Sequence, residues 1–407
     1  MLPPKSALGP DFKALRPLHP SPTSLTFPVY EGLTDRLLTA DDPDDTVRHV
    51  LAVCSGYAYS DQTTVATMMT RLGLERSRCV MVREVVDAMF ICSTAFVIQS
   101  EDGRVVIVCY RGTEPASLIN WLTDLDIDPG QVRYDLTSQS GDESYRVHAG
   151  FYRNVRATRF AVIEVLQRAM QGQSIFPDDD QEKPVETETI EPLQTLYVTG
   201  HSLGAAMATM MTVMLRAKGI YAPLAAKLKA TYTYGQPMIG TPAFATACTQ
   251  ATFGGTSRPL DSALFRYVYA DDLVPQLPPR ESGEFAHFGQ EFRCERLDGD
   301  DENRPTWARH MAPTRQTGAL GLAVGGLALV TREIKRLRRL PLHQSGRRPR
   351  ASELHRCAYP APYSERVRGL KDQGWLLTTY LPVTTPAPAV WRGAYGAAEA
   401  ADPDDYC

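Results

Sequence analysis

Leu193-Gln194-Thr195-Leu196-Tyr197-Val198-Thr199 runs without interruption into Gly200-His201-Ser202-Leu203-Gly204, and then into Ala205-Ala206-Met207-Ala208-Thr209-Met210-Met211. The first seven residues are a short apolar run of the kind that forms a buried strand, and the alanine- and methionine-rich continuation to Leu215 has helical periodicity. Between them lies a G-x-S-x-G pentapeptide. A chain this long contains one by chance with a probability of roughly 0.1 at average glycine and serine usage, so the motif alone is weak. Its position between a strand and a helix is what makes it specific: strand, sharp turn and helix form a nucleophile elbow. The turn needs a glycine on either side so that neighbouring backbone can pass close by. Ser202 is then raised at a helix N-terminus, where backbone N–H groups and the positive end of the dipole favour an oxyanion. The N–H of Leu203 is the natural first donor. The bland alternative is a serine that only caps the helix.

Outward from this centre, Ala88–Gln99 and Arg104–Tyr110 are apolar, β-branched runs joined around Glu101-Asp102-Gly103, which is a hairpin signal. A helical pattern runs from Thr46 toward Ser55. Val147–Tyr152 precedes another helical segment, from about Val155 to Met170. Ala230–Tyr234 and Leu264–Tyr269 read as further strands. Strands alternating with helices imply an α/β domain on a largely parallel sheet. Met207, Met210, Met211 and Met214 fall at helical spacing and read as core packing beneath the serine.

A serine nucleophile needs a base and an orienting acid, and on the α/β-hydrolase fold these follow in the order Ser, Asp, His. Asp272, just beyond the apolar run 264–269, stands where such a sheet presents catalytic groups. Four histidines follow it: His287, His310, His343 and His355. Spacing does not choose among them.

Several segments together resemble the class 3 lipases, the fungal-type triglyceride lipases within the α/β-hydrolases, over roughly residues 105–370. Arg111-Gly112-Thr113 followed by Asn120-Trp121-Leu122-Thr123-Asp124 is similar to that family's oxyanion loop and the start of its lid. Val147-His148-Ala149-Gly150-Phe151 resembles its next strand, and Gly200–Ala206 its elbow. Tyr234-Gly235-Gln236-Pro237 and Asp272-Leu273-Val274-Pro275-Gln276-Leu277-Pro278-Pro279 are similar to its later motifs. The resemblance implies that Asp272 is the triad acid, with Asp271 solvated, and that Thr113 supplies the second oxyanion donor. It implies His355 as the base, ahead of Tyr359 and Tyr363. Pro360 and Pro362 depart from the family pattern and leave His343 as the alternative. His287 matches a position near the site but outside the triad, and His148 and His201 read as packing or hydrogen-bonded neighbours. The implied activity is carboxylic-ester hydrolysis, as a lipase on acylglycerols. A phospholipase, thioesterase or short-chain esterase would share the triad, and a non-catalytic interaction protein would be expected to lack one of its members. No metal or organic cofactor is expected. The apolar residues between Thr113 and Asp128 read either as a lid or as a fixed segment in which Trp121 is buried.

The 407 residues are 43% hydrophobic and 22% charged with a net charge of −4, which suits one large globular domain and excludes a globally basic nucleic-acid binder. Residues 1–45 read as a proline-rich extension and 46–380 as the catalytic domain, with an acidic surface insertion at about 172–192. Residues 381–407 read as a tail. Gly318–Val330 is apolar but, at 1.5 Å per residue, only about 20 Å long as a helix, too short to span a bilayer. The arginines and lysines that follow, up to Arg350, make 318–350 either a helix packed on the core with a solvated basic loop or a peripheral contact with an anionic lipid surface. Eight cysteines, Cys54, Cys79, Cys92, Cys109, Cys248, Cys294, Cys357 and Cys407, are scattered as buried thiols would be. The first twenty residues lack the apolar core of a secretion signal, and the expected location is cytoplasmic.

Overall fold

The computed structural model describes residues 29–86, 91–112, 129–134, 136, 143–176, 190–217, 219–252, 258–269, 272–294 and 307–318. Three helices come first: α1 (Leu33–Thr39), α2 (Asp45–Tyr57) and α3 (Gln62–Leu72). Then follow β1 (Arg78–Val86), β2 (Ile91–Gln99), β3 (Val105–Tyr110), β4 (Pro129–Tyr134), β5 (Glu143–His148) and α4 (Ala149–Met170). The chain continues through β6 (Thr195–His201), α5 (Leu203–Ala217), α6 (Ala222–Ala225), β7 (Leu228–Tyr234), α7 (Pro242–Gln250), β8 (Leu264–Tyr269), β9 (Gln290–Cys294) and β10 (Ala308–His310).

Among the described residues, eight strands form one sheet in the order β1-β2-β3-β6-β7-β8-β9-β10. β3, β6, β7, β8 and β9 are mutually parallel, and the edges on both sides are antiparallel. β4 and β5 pair separately. Because a strand alternates its side chains between faces, a strand covered on both sides must be apolar throughout. β3 shows this: Val106, Val108 and Tyr110 enter the core beneath α4 and α5, while Val105, Ile107 and Cys109 enter the core beneath α1, α2 and α3. The methionines of α5 are all buried in the first of these cores, as their spacing predicts.

Two local readings change. Val147 and His148 end β5, but Ala149-Gly150-Phe151 begins α4 rather than continuing a strand. The cause is a cap: the His148 imidazole accepts from the Phe151 N–H at 3.4 Å, so the helix starts six residues before the point its apolar pattern suggests. Phe151 and Val155, four residues apart, then share the buried face. Within the stretch assigned to an extension, α1 docks on the sheet with Leu33 and Leu37 fully buried. Asp44 caps α2 through the N–H groups of Thr46 and Val47. Residues 177–189, the centre of the acidic insertion, lie outside the described residues, as do 319–350 of the apolar and basic stretch and the tail. Cys54, Cys79, Cys109, Cys248 and Cys294 are buried free thiols.

Candidate active site

Ser202 occupies the single residue between β6 and α5 and has φ 57°, the left-handed region that L side chains rarely adopt. Holding a non-glycine residue there costs on the order of 1–2 kcal/mol, so the surroundings must enforce it. A Cβ on Gly200 would lie 2.3 Å from the Gly204 carbonyl oxygen, and one on Gly204 would lie 2.2 Å from the Tyr110 carbonyl oxygen. Both positions are therefore glycine because strand, turn and the end of β3 are in backbone contact. The Ser202 N–H donates to Tyr234 O at 3.0 Å, tying the turn to the end of β7, and the Gly235 N–H donates to Tyr267 O, tying β7 to β8.

The Ser202 hydroxyl is fully buried and has no hydrogen-bond partner among the described residues. It does not act as a helix cap. Leu203, half-buried, opens α5, and an N–H in a helix's first turn has no intrahelical acceptor.

Asp272 lies three residues beyond β8, buried, with its N–H donating to Tyr269 O at 2.9 Å and its Oδ1 accepting from the Val274 N–H at 3.0 Å. The serine and the carboxylate thus leave the C-terminal ends of β6 and β8, with β7 between them. Thr113, Asp271, His343, His355 and the segment 113–128 lie outside the described residues. Arg111 and Gly112, which lead into Thr113, are described. A Cβ on Gly112 would meet His201 O at 2.6 Å, so the loop passes directly against the elbow.

His148, His201 and His287 are buried, and burial pushes each imidazole down to about 3. A general base works best with a pKa near the working pH, so none of them fits that role. His148 caps α4 and stacks on Phe151 at 4.2 Å between ring centroids. His287 donates from Nε2 to Pro275 O at 2.7 Å, which leaves Nδ1 as a buried acceptor without a partner among the described residues. It also lines a cavity of about 710 Å³ with Met238, Phe285 and Thr314. His201 accepts at Nδ1 from the Tyr59 hydroxyl at 2.9 Å. Tyr59 has no counterpart in the sequence reading, because a contact across 142 positions leaves no local pattern.

A serine held at a strained strand-to-helix turn on a largely parallel sheet, with a carboxylate beyond a later strand, defines an α/β-hydrolase. Residues 107–282 match the family described as Lipase (class 3). A secreted mono- and diacylglycerol lipase of Fusarium solani is 29% identical over 201 residues, 49% of this chain and 46% of that one. A lipase of Rhizomucor miehei is 29% identical over 202 residues, 49% and 44% of the respective chains. The chain thus spans less than half the length of these relatives. The solved native propeptide complex of Rhizomucor miehei lipase aligns with a TM-score of 0.44 at 20% identity, covering 69% of this chain and 79% of that one.

Proposed function

We propose that this protein is a serine carboxylic-ester hydrolase that acts as a lipase on acylglycerols. The observation that carries the reading is Ser202: strained, buried, free of partners among the described residues, and placed at the start of α5. Other buried hydroxyls, such as those of Ser77 and Ser93, also lack a partner among the described residues; what sets Ser202 apart is its left-handed backbone at a strand-to-helix turn.

In the proposed reaction His355 removes the hydroxyl proton of Ser202 while Oγ attacks the ester carbonyl carbon. Asp272 holds the imidazole in the productive tautomer. The tetrahedral oxyanion accepts hydrogen bonds from the N–H groups of Leu203 and Thr113. The approach of Gly112 to His201 supports Thr113 in this role, because it brings the preceding residue against the elbow. Collapse returns the proton to the departing alcohol and leaves an acyl-serine. Water, deprotonated by the same imidazole, then releases the acid. The reaction needs no cofactor. The relatives' names as mono-, di- and triacylglycerol lipases support acylglycerols as the substrate class. The basic stretch from Arg332 to Arg350 supports peripheral contact with an anionic lipid surface, which requires vesicle binding that rises with anionic lipid and falls with salt.

The deciding experiment assays p-nitrophenyl esters of increasing chain length, a triglyceride and a phospholipid with the wild-type chain and Ser202→Ala. Hydrolysis of the long-chain esters and the triglyceride by wild type alone is expected. Hydrolysis confined to short soluble esters would replace lipase with esterase, and equal activity in Ser202→Ala would remove the reading altogether.

A further inference from the structure

Tyr59 sits in the turn between α2 and α3, on the far side of the sheet's helical cover from α5, yet its phenol reaches the elbow. Its hydroxyl is 2.9 Å from Nδ1 of His201, and the two rings meet edge to face with centroids 6.0 Å apart. Both residues are buried. With the imidazole neutral, Nδ1 is the acceptor, the phenol is the donor, and the imidazole proton is on Nε2. The same phenol oxygen lies where a Cβ on Gly112 would come within 2.0 Å of it. One hydroxyl is therefore wedged between the residue that precedes Ser202 and the residue that precedes Thr113.

We infer that Tyr59 is a positioning residue, setting the gap between the loop that carries Thr113 and the turn that carries Ser202 and Leu203. The inference rests on the reading under "Proposed function", in which the N–H groups of Thr113 and Leu203 share the oxyanion. Two donors on separate segments stabilise that charge only at the right separation, and the phenol meets the neighbours of both segments. It touches no substrate atom itself. Removing its hydroxyl leaves the fold's apolar packing in place but frees His201 and Gly112 to shift against each other. Displacements below an ångström are enough to weaken a transition-state contact.

The test compares Tyr59→Phe with wild type in the full chain. Fluorophosphonate titration counts the reactive sites, and kcat and KM on a p-nitrophenyl ester are expressed per titrated site. The expected result is a fall in per-site kcat on the order of 10- to 100-fold with KM unchanged, and a matching fall in the rate of fluorophosphonate inactivation. A purely structural role would instead reduce the number of titratable sites and leave each at full rate, and that outcome overturns the inference. So does an unchanged per-site kcat, or a rise in KM alone. Ser202→Ala, labelled in parallel, keeps the two levels apart: retained labelling there overturns the nucleophile assignment itself, and the inference with it.

Discussion

At the end of β6 the hydroxyl of Ser202 is fully buried and unpartnered among the described residues, whereas on β9 the carboxylate of Glu291, equally buried, accepts four hydrogen bonds. Arg266 donates to its Oε2 at 2.9 Å and Arg293 to its Oε1 at 2.6 Å, and Thr314 adds its N–H at 2.8 Å and its hydroxyl at 3.0 Å. Burial raises the Glu291 carboxyl, but Arg266, the Thr314 N–H and Arg293 outweigh it and leave the group pushed down to about 2. The two sites lie on one sheet and use buried polarity in opposite ways. Glu291 is satisfied and holds β8, β9 and the segment around Thr314 together. Ser202 keeps its hydrogen-bonding capacity and its backbone strain in reserve, which is where reactive groups are found.

If that contrast is right, the two sites fail differently when broken. Ser202→Ala removes a group that stabilises nothing, so ester hydrolysis should fall by several orders of magnitude while the melting temperature holds or rises. His355→Ala should lower the acylation rate by a similar factor, because triad members act as a unit and their losses do not add. A loss of that size in His343→Ala, with His355→Ala active, would transfer the base to His343.

Glu291→Gln should do the reverse. Arg266 stays buried with its counter-charge gone, and breaking such a pair costs about 3–5 kcal/mol. Urea denaturation should show that loss, while kcat per titrated site stays at the wild-type value. Replacing Arg266 and Glu291 together with Met and Leu should recover much of the stability, since the lone charge is then absent. A double variant less stable than Glu291→Gln would show that the pair is needed for more than mutual neutralisation.

The side of this contrast that is legible in the sequence is the Ser202 side. β3 is continuously apolar, and β6, β8 and α5 are apolar enough to read as buried elements despite Thr199, Arg266 and Thr209, with β8 having the bounds its pattern suggests. β6 runs two residues further, to His201, because pairing with β7 carries Gly200 and His201 into the ladder although neither favours strands. β1 has no clear strand signature: it is an edge strand whose exposed Met81 and Val85 obscure the alternation. The Glu291 cluster left no trace in the sequence, since its members come from β8, β9 and a loop more than twenty residues on. Tyr59 was invisible for the same reason. For the base, four histidines after Asp272 satisfy chain order equally, and only the family resemblance separates them.

The last expected effect concerns pH, and it joins the two regions. His148, His201 and His287 have folded-state values near 3 because burial disfavours their charged forms, against 6.5 for an exposed imidazole. Above 6.5 neither the folded nor the unfolded chain protonates them, and their contribution to stability is complete. As the pH falls from 6.5 toward 3, the unfolded chain takes up protons that the folded chain refuses, so stability is lost. The slope is on the order of 1 kcal/mol per pH unit for each histidine. Glu291 acts with the same sign lower down: its contribution is present above its ordinary value of 4.5 and lost as the pH drops toward 2. Unfolding free energies from urea titrations should therefore be level above about pH 7 and decline steadily from pH 6 to pH 4. His287→Gln should make that decline shallower by one proton's worth. A flat profile from pH 7 to 4 would mean that these imidazoles are protonated in the folded chain, and Nδ1 of His201 would then be unable to accept from Tyr59.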